Sequence, residues 1–267
     1  MSPNGQPTRG DAVVKAKELN VVYGAQSPIP TRALTDINFE VSQGRFVALI
    51  GPSGCGKSTL LRVLADVLPA TSGEVTIGDE TPNVLRAKRL TGFMFQDANL
   101  LPWYTVRENI GILAKVAKRA RRREEIEELA ELVGLQDFLD RYPDQLSGGM
   151  RQRVALARSY ALDPQLLLMD EPFGALDEIT RQRMNDELLR VWEQRQQTVF
   201  FVTHSIPEAV YLSDRILVMA PRPGRVVADI EVPASRPRRE EMRFESPMVD
   251  LVARIHHELL DAMKEHR

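Results

Sequence analysis

Apolar and polar positions along the chain switch between two periods, and the switching marks an α/β protein. Leu34, Ile37, Phe39 and Val41 are spaced by polar residues, which predicts a half-buried strand over Leu34–Val41; Val13–Tyr23 is strand-like with less regular alternation. Arg45–Ile50 and Leu166–Met169 are short apolar runs, as expected of strands buried on both faces of a parallel sheet. The first runs into a glycine-rich turn, Gly51–Gly56, and a helix predicted from Lys57 to about Leu68. The second ends on Asp170 and Glu171. Further strands are predicted within Ala70–Gly78, Leu90–Gln96 and Thr198–Thr203. Ile216–Met219 and Val226–Val232 flank a Pro- and Gly-rich turn and predict a hairpin. Helical spacing covers about Val106–Leu139, Gly149–Ala161 and Thr180–Gln194, so a helical lobe, about 97–160, is expected between strands. At the end, Ser246 reads as an N-cap with Pro247 at the first helical position. Met248, Leu251, Val252, Ile255, Leu259 and Met263 then recur on one face of an amphipathic helix, about 246–264, expected to pack on its parent domain.

Composition narrows the class. A chain of 267 residues suits one large domain, or one domain with an inserted lobe. Residues 1–10 are polar, predict a disordered tail and do not resemble a secretory signal; residues 11–267 form the expected domain. No apolar run approaches the ~20 residues of a membrane span, so contact with a membrane is expected only through a partner. The single cysteine, Cys55, excludes an intrachain disulfide and favours a reducing compartment. A net charge of −2 gives no general attraction to nucleic acid. The basic stretch Lys115–Arg123 is followed at once by Glu124, Glu125, Glu127 and Glu128. Arg121–Glu125 and Arg123–Glu127 fall at i,i+4, which predicts a solvated helix.

The candidate chemistry begins at Gly51-Pro52-Ser53-Gly54-Cys55-Gly56-Lys57-Ser58-Thr59, which matches G-x-x-x-x-G-K-[ST] between a strand and a helix. Glycines let the backbone turn its N–H groups onto an anion, and the helix adds its positive end. Lys57 reaches the β- and γ-phosphates, and the Ser58 hydroxyl offers Mg²⁺ a hard oxygen. Cys55 reads as a spectator in this loop, with no histidine nearby in sequence to activate it. In a protein with such a loop, Asp170 would hold Mg²⁺ directly or through water, and Glu171 would polarise the attacking water.

Leu146-Ser147-Gly148-Gly149-Met150-Arg151-Gln152-Arg153 resembles the signature sequence of ABC-type ATPases, and the motif order resembles that family over almost the whole chain. The resemblance implies a P-loop NTPase of ABC type: a mixed sheet core, an antiparallel β subdomain and an inserted α-helical lobe. It implies that Ser147, Gly148, Gly149 and Gln152 of one copy complete the ATP site of another. It implies that Tyr23 stacks on adenine, that Gln96 contacts Mg²⁺ and water, and that His204 contacts the γ-phosphate. Gly174-Ala175-Leu176-Asp177 resembles the loop through which paired domains communicate. Catalysis is then expected from Glu171, His204 and Lys57, with Ser58, Gln96 and Asp170 around the metal.

Only 89 residues separate Lys57 from Ser147, too few for the coiled coil of the DNA-repair relatives, and no cysteine pairs exist. A free-standing cassette favours an importer. Leu101–Ile110, Phe173–Arg181 and Ala220–Arg225 resemble the group importing nitrate, sulfonate, taurine and related compounds, including pyrimidine precursors. The implied partners are a second cassette, integral membrane permease subunits and, indirectly, a solute-binding protein, with no nucleic acid. The implied location is the cytoplasmic face of the inner membrane. Trp103 and Tyr104 are candidates for permease contact or for packing within the lobe.

Overall fold

The alternation around Leu34–Val41 belongs to a long antiparallel pair, β1 (Ala12–Tyr23) and β2 (Thr31–Ser42), joined by β4 (Ser72–Ile77) in the order β2-β1-β4. Leu34, Ile37, Phe39 and Val41 are all buried in it. The computed structural model describes residues 12–119, 122–221 and 223–264, with the side chains of residues 14–119, 122–221 and 223–263. The predicted tail, the Arg121 partner of Glu125 and Arg222 of the hairpin turn lie outside the described residues. Two compact units divide the chain: one comprises the chain up to Lys88 and from Gln196 onward, the other Arg89–Arg195.

In the first unit, β3 (Phe46–Ile50) is buried at every position and lies between two parallel neighbours, β7 (Thr198–Val202) and β8 (Arg215–Ala220). The antiparallel strand β9 (Arg225–Glu231) pairs with β8 and makes the sheet mixed. Phe39 and Phe200 pack with ring centroids 5.6 Å apart and planes tilted by 49°, tying β2 to β7. This unit also holds α1 (Lys57–Leu64), α2 (Pro82–Lys88), α7 (Ile206–Leu212) and α8 (Ser246–Lys264). Met248, Leu251 and Ile255 of α8 enter a core with Ile216 and Val218 of β8 and Ala209 and Val210 of α7. With Val252 and Leu259 packed against that core, the helical stripe read from the sequence is a packing face as far as Leu259, while Met263 stays exposed.

The second unit pairs β5 (Thr91–Met94) in parallel with β6 (Leu166–Asp170). Around them are α3 (Val106–Val116), α4 (Arg123–Leu132), α5 (Gly148–Ser159) and α6 (Glu178–Arg195). Arg123 Nε lies 2.9 Å from Glu127 Oε1, the i,i+4 pair expected on a solvated face. No helix among the described residues is long and apolar enough to cross a membrane.

Several expectations change at helix ends. The helix predicted to about Leu68 stops at Leu64. Asp66 adopts φ 55°, its N–H donates to Val63 O at 3.0 Å, and Val67 N–H donates to Arg62 O at 2.9 Å. This is a Schellman closure with aspartate in the left-handed position usually held by glycine. The helical stretch Val106–Leu139 is interrupted in the same way: Lys118 adopts φ 53°, with Arg119 N–H on Ala114 O at 3.0 Å. Ser246 is not an N-cap. Met248 and Val249 donate to Glu245 O, while the Ser246 hydroxyl bonds to Asp250 Oδ2 at 3.2 Å, so the helix opens one residue earlier than its serine suggests.

Candidate functional site

The phosphate loop joins β3 to α1 and is built tightly enough to exclude side chains. A Cβ on Gly51 would lie 2.4 Å from Met219 O and 2.7 Å from Cys55 Sγ; on Gly56, which sits at φ 96°, it would lie 2.5 Å from Leu34 Cδ2. Lys57 is only 5% exposed, and its ammonium donates to Gly51 O at 2.8 Å and Pro52 O at 3.0 Å. These carbonyls satisfy a buried cation at the start of α1. No side chain caps that helix, and its first turn carries no acidic residue. A positive helix end beside a buried ammonium favours an anion. Burial pushes the Cys55 thiol up against the opposing pull of Lys57, which suits a spectator in this loop.

The β8–β9 turn presses on this loop. Gly224 N–H donates to Ala33 O at 3.0 Å, and Gly224 O accepts from Thr35 N–H at 2.9 Å. A Cβ on Gly224 would meet Cys55 O at 2.2 Å and Ala33 O at 2.7 Å, contacts that only backbone movement can relieve. The variant Gly224→Ala is expected to lose about 1–3 kcal/mol of stability and to bind ATP several-fold more weakly as the loop shifts. Thermal melting and nucleotide titration check this; wild-type values in both would show that the loop accommodates the methyl group.

His204 follows β7 at the carboxyl end of the parallel strands, where ligands bind in α/β folds. Thr203 N–H still donates to Leu49 O of β3 at 3.2 Å. The flanking turn is fixed: Thr203 Oγ1 accepts from Ser205 N–H and donates to Glu208, and Ser205 Oγ accepts from Glu208 N–H. His204 itself is exposed. Tyr23, 39% exposed, has its hydroxyl 3.2 Å from Thr59 Oγ1, which sets the ring beside the first turn of α1. Tyr23, Gly51–Thr59 and His204 thus share the first unit.

In the second unit Asp170 ends β6, and Glu171 follows at φ 47°, a left-handed conformation costly for a non-glycine residue and frequent at functional sites. A Cβ on Gly174 would lie 3.6 Å from Glu171 Oε2 and 3.7 Å from Gln96 Nε2. The glutamate and glutamine therefore converge on one gap that residue 174 leaves clear. Ser147 caps α5, its Oγ accepting from Met150 N–H at 3.3 Å, and remains exposed with Gly148 and Gly149 partly so. Asp177 caps α6 through Thr180 N–H at 3.0 Å, and its bonds with Thr180 hold its carboxyl below the usual range.

Gln152 is buried, and its amide donates to Gln96 O at 2.8 Å. Two residues of this region escaped the sequence reading. Asn109 is fully buried; it accepts from Leu101 N–H and donates to the carbonyls of Leu101, Tyr104 and Thr105, fixing the segment that carries Trp103. Arg158 donates to the carbonyls of Ala98 and Asn99. The only sequence signal for either was a polar residue inside an amphipathic helix.

A strand–phosphate loop–helix unit, an acid-tipped parallel strand and a capped Ser-Gly-Gly turn define a P-loop ATPase of the cassette type. Residues 34–174 match the ABC transporter family model, and the chain belongs to that family. It is 44% identical over 222 residues to the taurine import ATP-binding protein of Rhizobium johnstonii, spanning 82% of this chain and 84% of that one. It is 45% identical over 227 residues to the aliphatic sulfonates import ATP-binding protein of Bacillus thuringiensis subsp. konkukian, spanning 85% and 89%. Among solved structures it resembles the ATP-binding cassette MJ0796, a dimer in a post-hydrolysis state bound to ADP and Pi. That match has 32% identity and a TM-score of 0.71, over 83% of this chain and all of that one. The fold is the ABC-type P-loop NTPase fold, and the chain is an ATP-binding protein.

Proposed function

We propose that this chain is the ATP-hydrolysing subunit of an importer and that it works as a pair of cassettes enclosing two ATP molecules. The observation that carries this reading is the presence of two helix starts suited to an anion in one chain: α1 at Lys57 and α5 at Ser147-Gly148-Gly149. One phosphate loop serves one triphosphate; the second turn is explained if it closes on the ATP of a facing copy.

In this arrangement Lys57 and His204 of one copy face the γ-phosphate, and Ser147 and Gly149 of the other complete its cradle. Tyr23 lies against adenine. Glu171, held in its left-handed turn, orients water for in-line attack, and Gln96 contacts the same water. Ser58, Asp170 and Gln96 would hold Mg²⁺, whose preference is for hard oxygen ligands. The ion would offset charge developing on the transferred phosphoryl group. Closure follows ATP binding, and reopening follows hydrolysis and phosphate release.

The relatives named for taurine and aliphatic sulfonate import support an importer of a small organic or oxyanion solute with a membrane permease as the direct partner; a solute-binding protein would deliver the cargo. Such a subunit sits at the cytoplasmic face of the membrane. Trp103 is 67% exposed on a segment that Asn109 fixes, which suits an aromatic anchor for the permease. Purified chain is expected to release phosphate from ATP with Mg²⁺ and to stop when EDTA removes it, turnover returning on re-addition. Turnover undiminished in EDTA would remove Mg²⁺ from the mechanism, and its absence under every condition, permease included, would remove the ATPase reading.

A further inference from the structure

The segment Gln96–Asn99 leaves β5 with Gln96, Asp97 and Asn99 exposed and Asn99 at φ 46°. Such a segment has little packing to define its position. Yet three of its four carbonyls are taken by side chains of a single helix, α5. Gln152 Nε2 donates to Gln96 O at 2.8 Å, Arg158 Nη1 donates to Asn99 O at 2.8 Å, and Arg158 Nη2 donates to Ala98 O. The same helix starts at the Ser147-Gly148-Gly149 turn.

We propose that Gln152 and Arg158 are positioning residues that bolt the Gln96 segment to the helix carrying the Ser-Gly-Gly turn, so that Gln96 is placed for catalysis by the element that meets the facing copy's ATP. The inference rests on the role of Gln96 given above. It also gives Gln152 a task within its own chain: at 5% exposure, with its amide on Gln96 O, it serves the neighbouring loop.

Energetics favour this over a plain packing role. Gln152 Oε1 is buried without a hydrogen-bond partner, which costs stability relative to an apolar side chain of similar size. A residue present only to fill space would be better as methionine or leucine; what glutamine adds is one donor aimed at Gln96 O. Arg158 is partly withdrawn from water, and burial pulls its guanidinium below the usual arginine range. It spends both terminal nitrogens on the loop. Two donor groups thus fix where the side chain of Gln96 begins, and small misplacements of a reacting constellation carry large rate costs.

The test uses the full-length chain with MgATP and four variants: Gln152→Met, Arg158→Met, Arg158→Lys and Gln96→Ala. Gln152→Met is expected to lower kcat about tenfold, to leave KM for ATP within about twofold, and to melt no lower than the wild type. Arg158→Met should lower kcat similarly, and Arg158→Lys, which keeps a donor, should recover most of the loss. Wild-type kcat in Gln152→Met, or KM rising in step with the fall in kcat, overturns the proposal. Should Gln152→Met melt lower, the arginine pair decides: no recovery with lysine overturns the proposal, and recovery upholds it. If Gln96→Ala keeps full turnover, the assigned role of Gln96 fails and the inference with it. If Gln96→Ala loses turnover while both methionine variants keep it, the inference fails alone.

Discussion

The variant Glu171→Gln is expected to lower ATP turnover by about a thousandfold while leaving ATP affinity within about twofold of the wild type. Glutamine matches glutamate in shape, so the left-handed turn after β6 and the gap beside Gly174 should survive. What disappears is the carboxylate proposed to polarise water, and positioned general bases are worth about 10²–10⁴ in rate. Affinity should not fall, because Glu171 contributes no attraction to a triphosphate and its negative charge opposes one. Phosphate release measured beside equilibrium nucleotide titration separates the two effects. Full turnover in this variant would take Glu171 out of the mechanism.

Lys57→Ala should act on the other term. Its ammonium is buried and held by Gly51 O and Pro52 O, so its position over the loop is set before ATP arrives. Charge-assisted hydrogen bonds contribute about 1.5–3 kcal/mol each, so losing the lysine should weaken ATP binding by roughly ten- to a hundredfold. Calorimetric titration reads the loss, and a melting curve confirms that the loop still folds. Unchanged affinity in a folded variant would mean that Lys57 does not contact the phosphates.

Much of the fold was legible because its signals are local. The apolar runs at Arg45–Ile50 and Leu166–Met169 read as buried strands from their length and their flanks, and the glycine turn between β3 and α1 announced its own conformation. Helix ends were less legible. Asp66 and Lys118 hold left-handed positions that sequence rules assign to glycine, so the end of α1 and the break after α3 could not be located. Helices α2 and α7, seven residues each, are too short to display a helical period. Ser246 looked like a cap because its residue type suits one, yet Glu245 provides the backbone turn and the serine hydroxyl bonds within the helix.

The candidate site divides along the same line. Residues whose chemistry is local, such as Lys57 at its loop and Glu171 at its strand end, stand out from the sequence. Residues that act on backbone far along the chain do not. Arg158 reaches carbonyls 59 and 60 positions away, Asn109 spends its amide on main-chain groups of a loop, and Gly224 is required by Cys55 O. Nothing in the local pattern distinguishes these from an ordinary surface arginine, a helix asparagine or a turn glycine.

What everything else depends on is that each ATP needs two chains. Light scattering of purified Glu171→Gln with and without MgATP measures this most directly. The account predicts a change from monomer to dimer on adding nucleotide, with two ATP bound per dimer, and a return to monomer when Ser147→Arg is added to the same chain. Saturating ATP bound to a particle that keeps monomer mass would contradict it.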